Sequence, residues 1–181
     1  MKLLSRMRKL IMLSASLLLG RKWLAKRLGV VIGENCRIYI RDFGSEPFLI
    51  QLGDNVTITS GVKILTHDGA TGLIADDKGK RFQRYSPVKI GNNVFLGVNS
   101  IVMPGVSIGD NVIVAAGSIV TKDIPSGSVF GGNPAKSICS FEDYSSKVKA
   151  EYISDSQLEG IDNYKERVFH YIKIARQRDE K

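Results

Sequence analysis

The sequence predicts an all-β solenoid, a parallel β-helix built from six-residue units. Three observations carry this expectation. Ile90, Leu96, Val102, Ile108, Val114 and Val120 stand six apart without a break. A second series, Val94, Ser100, Val106, Val112, Ser118 and Ile124, runs four residues behind the first. Gly follows the aliphatic position at Gly91, Gly97 and Gly109. A helix repeats at about 3.6 residues and an alternating strand at about 2. A period of six instead suits short flat strands that each send one aliphatic and one small or branched side chain inward.

Residues 1–28 read as a basic amphipathic helix. Leu3, Leu10, Leu17 and Leu24 recur every seven and Leu4, Ile11 and Leu18 flank them, which makes an apolar stripe. The apolar run from Leu10 to Leu19 is too short to span a bilayer, which takes about 20 residues. It is followed by Arg21, Lys22 and Trp23 rather than by a small-residue cleavage site. Two roles are open to it: lying on an anionic membrane face, or packing on its own solenoid or on a partner subunit.

The solenoid domain is expected over 29–140. Its repeat begins near Ile32 to Ile38, is interrupted around Phe43 to Phe48, and resumes at Leu52. The separation between Leu52 and Ile90 is not a multiple of six, so the register breaks between them. The break falls at 69–86, GATGLIADDKGKRFQRYS, expected to protrude as a flexible loop. A loop of that length in a compact repeat is usually functional. The sequences Gly53-Asp54-Asn55, Gly91-Asn92-Asn93 and Gly109-Asp110-Asn111 read as one corner repeated, with Gly or Asn taking the left-handed backbone of a tight turn. Gly127 to Pro134 ends the stack. Residues 141–181 read as a C-terminal helical extension, with Tyr164, Val168, Phe169, Tyr171 and Ile172 as docking candidates.

Composition narrows the function. The chain has 181 residues and a net charge of +8. Eight cations and no acids lie in residues 1–28, so the remaining 18 basic residues equal the 18 acidic ones. A neutral main body argues against nucleic acid as a partner. Cys36 and Cys139 match no metal or redox spacing, and Cys36 falls on an inward position of the repeat. The thiols fit a reducing cytoplasm. Only two histidines are present, too few for a three-histidine zinc site, so no metal is expected.

His170 sits in the C-terminal helical region and reads as structural. His67 ends a coil, two residues before the long loop opens. Histidine, with an ordinary pKa near 6.5, can act as a base at cellular pH. Asp68 beside it either orients His67 or caps a turn.

The segment IGNNVFLGVNSIVMPGVSIGDNVIVAAGSIVTK over 90–122, followed by Asp-Ile-Pro and by Gly132-Asn133-Pro134-Ala135-Lys136, carries a resemblance. From about residue 30 to 139 the chain resembles the hexapeptide-repeat acyltransferases, nearest the sugar O-acetyltransferase branch that includes galactoside and maltose acetyltransferases and many surface-polysaccharide acetyltransferases. The resemblance implies a left-handed coil, a homotrimer with sites between subunits, and acetyl-CoA as acyl donor. It implies His67 as general base; Asp68 beside it is a candidate catalytic residue on the orienting alternative. It implies cofactor contacts at Ala116, Thr121, Lys122 and Lys136; Gly97, Val98, Ala115 and Gly117 are further candidates for the cofactor, and Tyr39, Arg41 and Arg84 are candidates for the acceptor. The histidine here lies in Thr66-His67-Asp68-Gly69 rather than Gly-His-Pro. No asparagine stands near Tyr39 to Arg41, where the galactoside enzyme binds its acceptor, so the acceptor is expected to differ. The expected reaction is O-acetylation of a sugar hydroxyl, on a surface-polysaccharide or lipid-linked glycan precursor. N-acetylation of an amino sugar, or O-acetylation of serine or a xenobiotic, is the alternative. The expected location is the cytoplasm, with peripheral contact at the inner membrane face through residues 1–28.

Overall fold

The computed structural model describes residue 12 and residues 14–179. Leu3, Leu4, Leu10 and Ile11 of the apolar stripe lie outside the described residues. The chain divides into two compact units, Met1–Phe141 and Glu142–Lys181.

The first unit winds through three parallel sheets in rotation. One holds β1 (Val31–Ile32), β3 (Ile50–Leu52), β6 (Val88–Ile90) and β9 (Ser107–Ile108). The next holds β2 (Arg37–Ile38), β4 (Thr57–Ile58), β7 (Val94–Leu96), β10 (Val112–Val114), β12 (Ser128–Gly131) and β13 (Lys136–Ser140). The third holds β5 (Lys63–Ile64), β8 (Ile101–Val102) and β11 (Ile119–Val120). Every pairing between these strands is parallel except β12 with β13, which covers one end of the second sheet. Ile90 pairs with Ile108, Val94 with Val112 and Val102 with Val120. One turn of the coil therefore takes three of the six-residue units in its regular part.

Both inward series are buried along their whole length, Ser100 and Ser118 included. Burying each Val, Ile or Leu side chain contributes roughly 1.5–3 kcal/mol, and the long column of them holds the rungs together. Ser118 reconciles its hydroxyl with the interior by donating to the Ala115 carbonyl at 2.7 Å.

Corner chemistry divides between two residue types. Asn35, Asn55, Asn93 and Asn111 take the left-handed backbone, with φ of 53–55°. Gly53 and Gly91 do not; they are glycines because the coils stack too closely for a side chain. A Cβ on Gly53 would meet the Gly91 carbonyl at 2.8 Å. At these corners Asn turns the chain and Gly admits the neighbouring coil, whereas Gly61, Gly105 and Gly117 take the left-handed backbone as expected. The asparagines also link coils through their amides, Asn55 Nδ2 donating to Asn93 Oδ1 at 2.8 Å and Asn93 Nδ2 to Asn111 Oδ1 at 2.6 Å.

At the N-terminal side, backbone at 14–19 is helical, and Gly20 breaks the helix with φ of 86°. α1 (Arg21–Leu28) then packs on β1 and β2, burying Leu24 and Ala25. Leu17, Leu18 and Leu19 stay exposed at 72%, 91% and 57%. Cys36, on the first coil, is half-buried and packs against the core, and its thiol donates to the Gly53 carbonyl at 3.2 Å. No helix among the described residues is long and apolar enough to cross a bilayer.

The second unit contains most of α2 (Phe141–Glu151), a short 3₁₀ turn at Asp155–Leu158, and α3 (Tyr164–Asp179). Within it Tyr164 and Phe169 are exposed, and Leu158 is buried.

Candidate functional site

Two irregularities of the coil meet at His67. The first is the insertion. Leu52 pairs with Ile90 just as Ile90 pairs with Ile108, although the chain between the first two is more than twice as long. The excess, the segment 69–86 and its immediate flanks, is extruded without disturbing the register. The extruded segment is not a structureless flap, as expected from its composition, but a hydrogen-bonded ribbon. Ser86 N–H donates to the Thr66 carbonyl at 2.8 Å and Asp68 N–H to the Arg84 carbonyl at 3.1 Å, closing its base around His67 and Tyr85. Further out Ala75 bridges Arg81, and at the tip Asp76 N–H donates to the Lys80 carbonyl at 2.8 Å.

The second irregularity lies in the first coil. Ile32 pairs with Leu52 and Ile38 with Ile58, so that coil is two residues longer than the regular ones. The extra residues fall in the segment 42–48, which buries Phe43 and bears Glu46. The lengthened spacing sets Glu46 one coil away from Thr66. Thr66 Oγ1 donates to Glu46 Oε2 at 2.7 Å, and His67 Nδ1 lies 2.9 Å from the same oxygen.

The Glu46 side chain is 16% exposed and that of His67 43%. Burial pushes the Glu46 carboxyl up, but the hydrogen bonds from Thr66 and His67 and the charge of a protonated His67 outweigh it. The carboxyl is held below its ordinary value. An ionised Glu46 accepts from Nδ1–H, which fixes the tautomer and leaves Nε2 as the basic nitrogen. Such a ring can take a proton from a bound hydroxyl and hand it on.

Asp68 does not orient His67. Its carboxylate accepts the Ala70 N–H at 3.0 Å and caps the 3₁₀ turn Gly69–Leu73. The carboxylate on the imidazole belongs to Glu46, which the sequence reading missed. The signal was present: the separation of Ile32 from Leu52, equal to that of Ile38 from Ile58, maps Glu46 onto Thr66.

His67 borders two clefts. One, of about 240 Å³, lies between the ribbon and segment 42–48 and is lined by Glu46, Asp68, Arg81, Arg84 and Tyr85 among others. The other, of about 370 Å³, is lined by Leu65, Asp68, Arg84, Met103, Pro104 and Thr121. Leu65, Met103 and Thr121 occupy one corner in successive coils, as the N–H groups of Leu65 and Met103 donate to the carbonyls of Val102 and Val120. Of the residues anticipated from sequence, His67, Asp68, Arg84 and Thr121 are brought together here. The remainder line neither cleft. Arg41 Nε donates to Ser16 Oγ at 3.3 Å, and Tyr39 is half-exposed. Gly97 is held against Ala116, where a Cβ would strike the Ala116 backbone nitrogen. Val98, Ala116, Gly117, Lys122 and Lys136 are exposed along the last coils, and Ala115 is half-buried.

Residues 87–122 match the family described as the hexapeptide repeat of succinyl-transferase. The chain is 55% identical over 126 residues to Protein CapG of Staphylococcus aureus, covering 68% of this chain and 73% of that one. It is 38% identical over 116 residues to the galactoside O-acetyltransferase of Escherichia coli K12, covering 63% of this chain and 54% of that enzyme. A solved galactoside acetyltransferase in complex with coenzyme A superposes with a TM-score of 0.51 at 32% identity, over 70% of this chain and 61% of that one. The chain thus spans about half of the E. coli enzyme's length.

Proposed function

Because the chain belongs to the hexapeptide-repeat acyltransferase family, we propose that it moves an acetyl group from acetyl-CoA to a hydroxyl of a sugar, on a surface-polysaccharide or lipid-linked glycan precursor. The observation that carries this reading is the His67–Glu46 pair at the mouth of two clefts. The coenzyme A in the galactoside acetyltransferase complex supports the donor, and the likeness to CapG and to the galactoside enzyme supports a sugar acceptor. The same likenesses support a left-handed winding of the coil.

His67 Nε2 takes the acceptor's hydroxyl proton as that oxygen bonds to the thioester carbonyl carbon. The carbon–sulfur bond then breaks, and the imidazolium returns the proton to the departing thiolate, giving coenzyme A and the ester. A sugar hydroxyl is too weak an acid to ionise alone at neutral pH, so the base acts during attack. Glu46 stabilises the imidazolium between the two transfers. The cleft with Thr121 takes the donor and the cleft under the ribbon takes the acceptor, which leaves His67 between them. Gly97, Val98, Ala115, Ala116, Gly117, Lys122 and Lys136 extend the donor path along the final coils, the lysines facing its phosphates. Tyr39 and Arg41 are assigned to the acceptor side of a neighbouring subunit in a homotrimer.

The test is kinetic. His67→Ala should lower kcat by about 10²–10⁴-fold while calorimetry shows coenzyme A binding retained. Near-normal turnover in that variant removes the mechanism. Light scattering should return three copies per particle; a monomer would remove the shared site.

Peripheral membrane contact belongs to the same reading. Exposed Leu17, Leu18 and Leu19 lie next to Arg21 and Lys22, in a segment of eight cations and no acids. Apolar side chains would enter the headgroup boundary and cations would face anionic lipids.

A further inference from the structure

We propose that the acceptor is an anionic sugar, one bearing a carboxylate or a phosphate, gripped by Arg81 and Arg84 in the cleft beneath the ribbon. The inference rests on the acetyl-transfer reading of the site and deepens it to a substrate class.

The argument starts from charge. Apart from His67, the cleft of about 240 Å³ carries four charged side chains, Glu46, Asp68, Arg81 and Arg84. Both acids are occupied. Glu46 accepts from Thr66 and faces His67, and Asp68 accepts the Ala70 N–H. Neither arginine makes an ion pair or a side-chain hydrogen bond among the described residues. The uncommitted charge of the cleft is therefore two guanidiniums.

Their backbones are fixed while their heads are free. The Arg84 carbonyl accepts the Asp68 N–H at the ribbon's base, and Arg81 is bridged to Ala75 across the stem. The acid nearest to Arg81 in sequence on the ribbon, Asp77, and its neighbour Asp76 stand at the tip, where Asp76 Oδ1 accepts the N–H groups of Lys78 and Lys80 at 2.9 and 2.8 Å. A guanidinium presents a planar fork that matches a carboxylate or phosphate with paired hydrogen bonds. Two such forks beside a base suit an acceptor whose anionic group anchors it while a hydroxyl reaches His67. A volume below the about 300–1,000 Å³ of drug-sized clefts suits one sugar unit.

Arg84 also lines the donor cleft, where coenzyme A phosphates would compete for it; Arg81 lines only the cleft beneath the ribbon. Arg81 is therefore the discriminating residue. The experiment measures kcat and KM of the full-length protein with acetyl-CoA and matched methyl glycosides: galactoside against galacturonide, glucoside against glucuronide, and each neutral sugar against its 6-phosphate. The anionic member of a pair should be favoured at least about tenfold in kcat/KM, and the two anionic series distinguish carboxylate from phosphate. Arg81→Gln should raise KM for the favoured acceptor by about 10–100-fold, the range for losing a hydrogen bond to a charged group, with KM for acetyl-CoA unchanged. Saturation-transfer NMR on the enzyme, with and without coenzyme A, reads the same preference when the offered hydroxyl is not the one acetylated. The proposal is overturned if neutral glycosides bind or react as well as their anionic partners. It is also overturned if no anionic member binds, if the preference survives in Arg81→Gln/Arg84→Gln, or if Arg81→Gln instead raises KM for acetyl-CoA. Failure of the acetyl-transfer reading looks different: coenzyme A fails to bind, or no acceptor is acetylated, while the NMR arm still reports the charge preference.

Discussion

Glu46 holds one oxygen between a buried threonine and the candidate base, and that geometry has two measurable consequences. Glu46→Gln keeps the shape but loses the charge facing the imidazolium. It should lower kcat about tenfold or more, the scale seen when a partner that orients a histidine is removed, and leave acetyl-CoA binding in place. An unaltered kcat would show that the pair is only structural. The carboxyl also links stability to acid. Its folded pKa lies below its ordinary value, so between the two the unfolded chain binds more protons and stability rises with pH. The contribution is complete above the ordinary carboxylate range and disappears as pH falls through the lower folded value. Denaturation of Glu46→Gln followed from pH 6 to pH 3 should accordingly show a shallower acid limb than the parent. His67 was legible in the sequence because a lone imidazole next to the only long break in a regular repeat stands out. Glu46 was not, because it sits where the first coil departs from period and a pattern search passes over irregular residues. Asp68, adjacent in sequence to His67, was the visible carboxylate, but it is taken up by the Ala70 N–H as the cap of the following turn.

The repeated strands and corners were the most legible elements. Six-residue spacing specified which side chains face inward, and both series are buried as that spacing requires. Leu96, fully buried in β7, should cost about 2–5 kcal/mol when replaced by Ala. Gly91→Ala probes a different term. Replacing a Gly by Ala often stabilises by about 0.4–1 kcal/mol through the unfolded chain. Here the new Cβ would stand 2.8 Å from the Gly109 carbonyl carbon, so the sign reverses and melting should fall. A rise in melting temperature would contradict the close-stacking account of these corners. The ribbon at 69–86 was legible only as an interruption. Its glycines, charges and lack of alternation gave no strand signal, because its order comes from main-chain bonds and side-chain bonds to turns that composition does not reveal.

On the scale of the whole molecule, the N-terminal segment divides its labour at Gly20. Heptad spacing alone merged both parts into one helix, since Leu17 and Leu24 obey the same period although one is exposed and the other buried. Removing residues 1–28 would strip α1 from the first coil and uncover what Leu24 and Ala25 protect, so the informative truncation ends at Gly20. The full chain should sediment with anionic phosphatidylserine vesicles at low salt and be released as salt approaches 1 M, where the screening length is about 3 Å. A chain beginning at Arg21 should sediment far less while keeping its fold, with melting lowered only by the loss of buried Ser16 and its bond from Arg41. Equal sedimentation of both chains, or equal binding to neutral vesicles, would remove the lipid assignment.

The register across the insertion has a consequence for how specificity can change. Leu52 meets Ile90 as though nothing lay between them. The scaffold is therefore blind to the length and composition of what it extrudes at that corner. Arg81 can be exchanged, or the whole protrusion replaced by another of different chemistry, with little thermodynamic penalty to the stacked rungs. On the proposed reading, a base on the stacked frame and a clasp on the extruded appendage would let the acceptor preference be refitted without rebuilding the rungs.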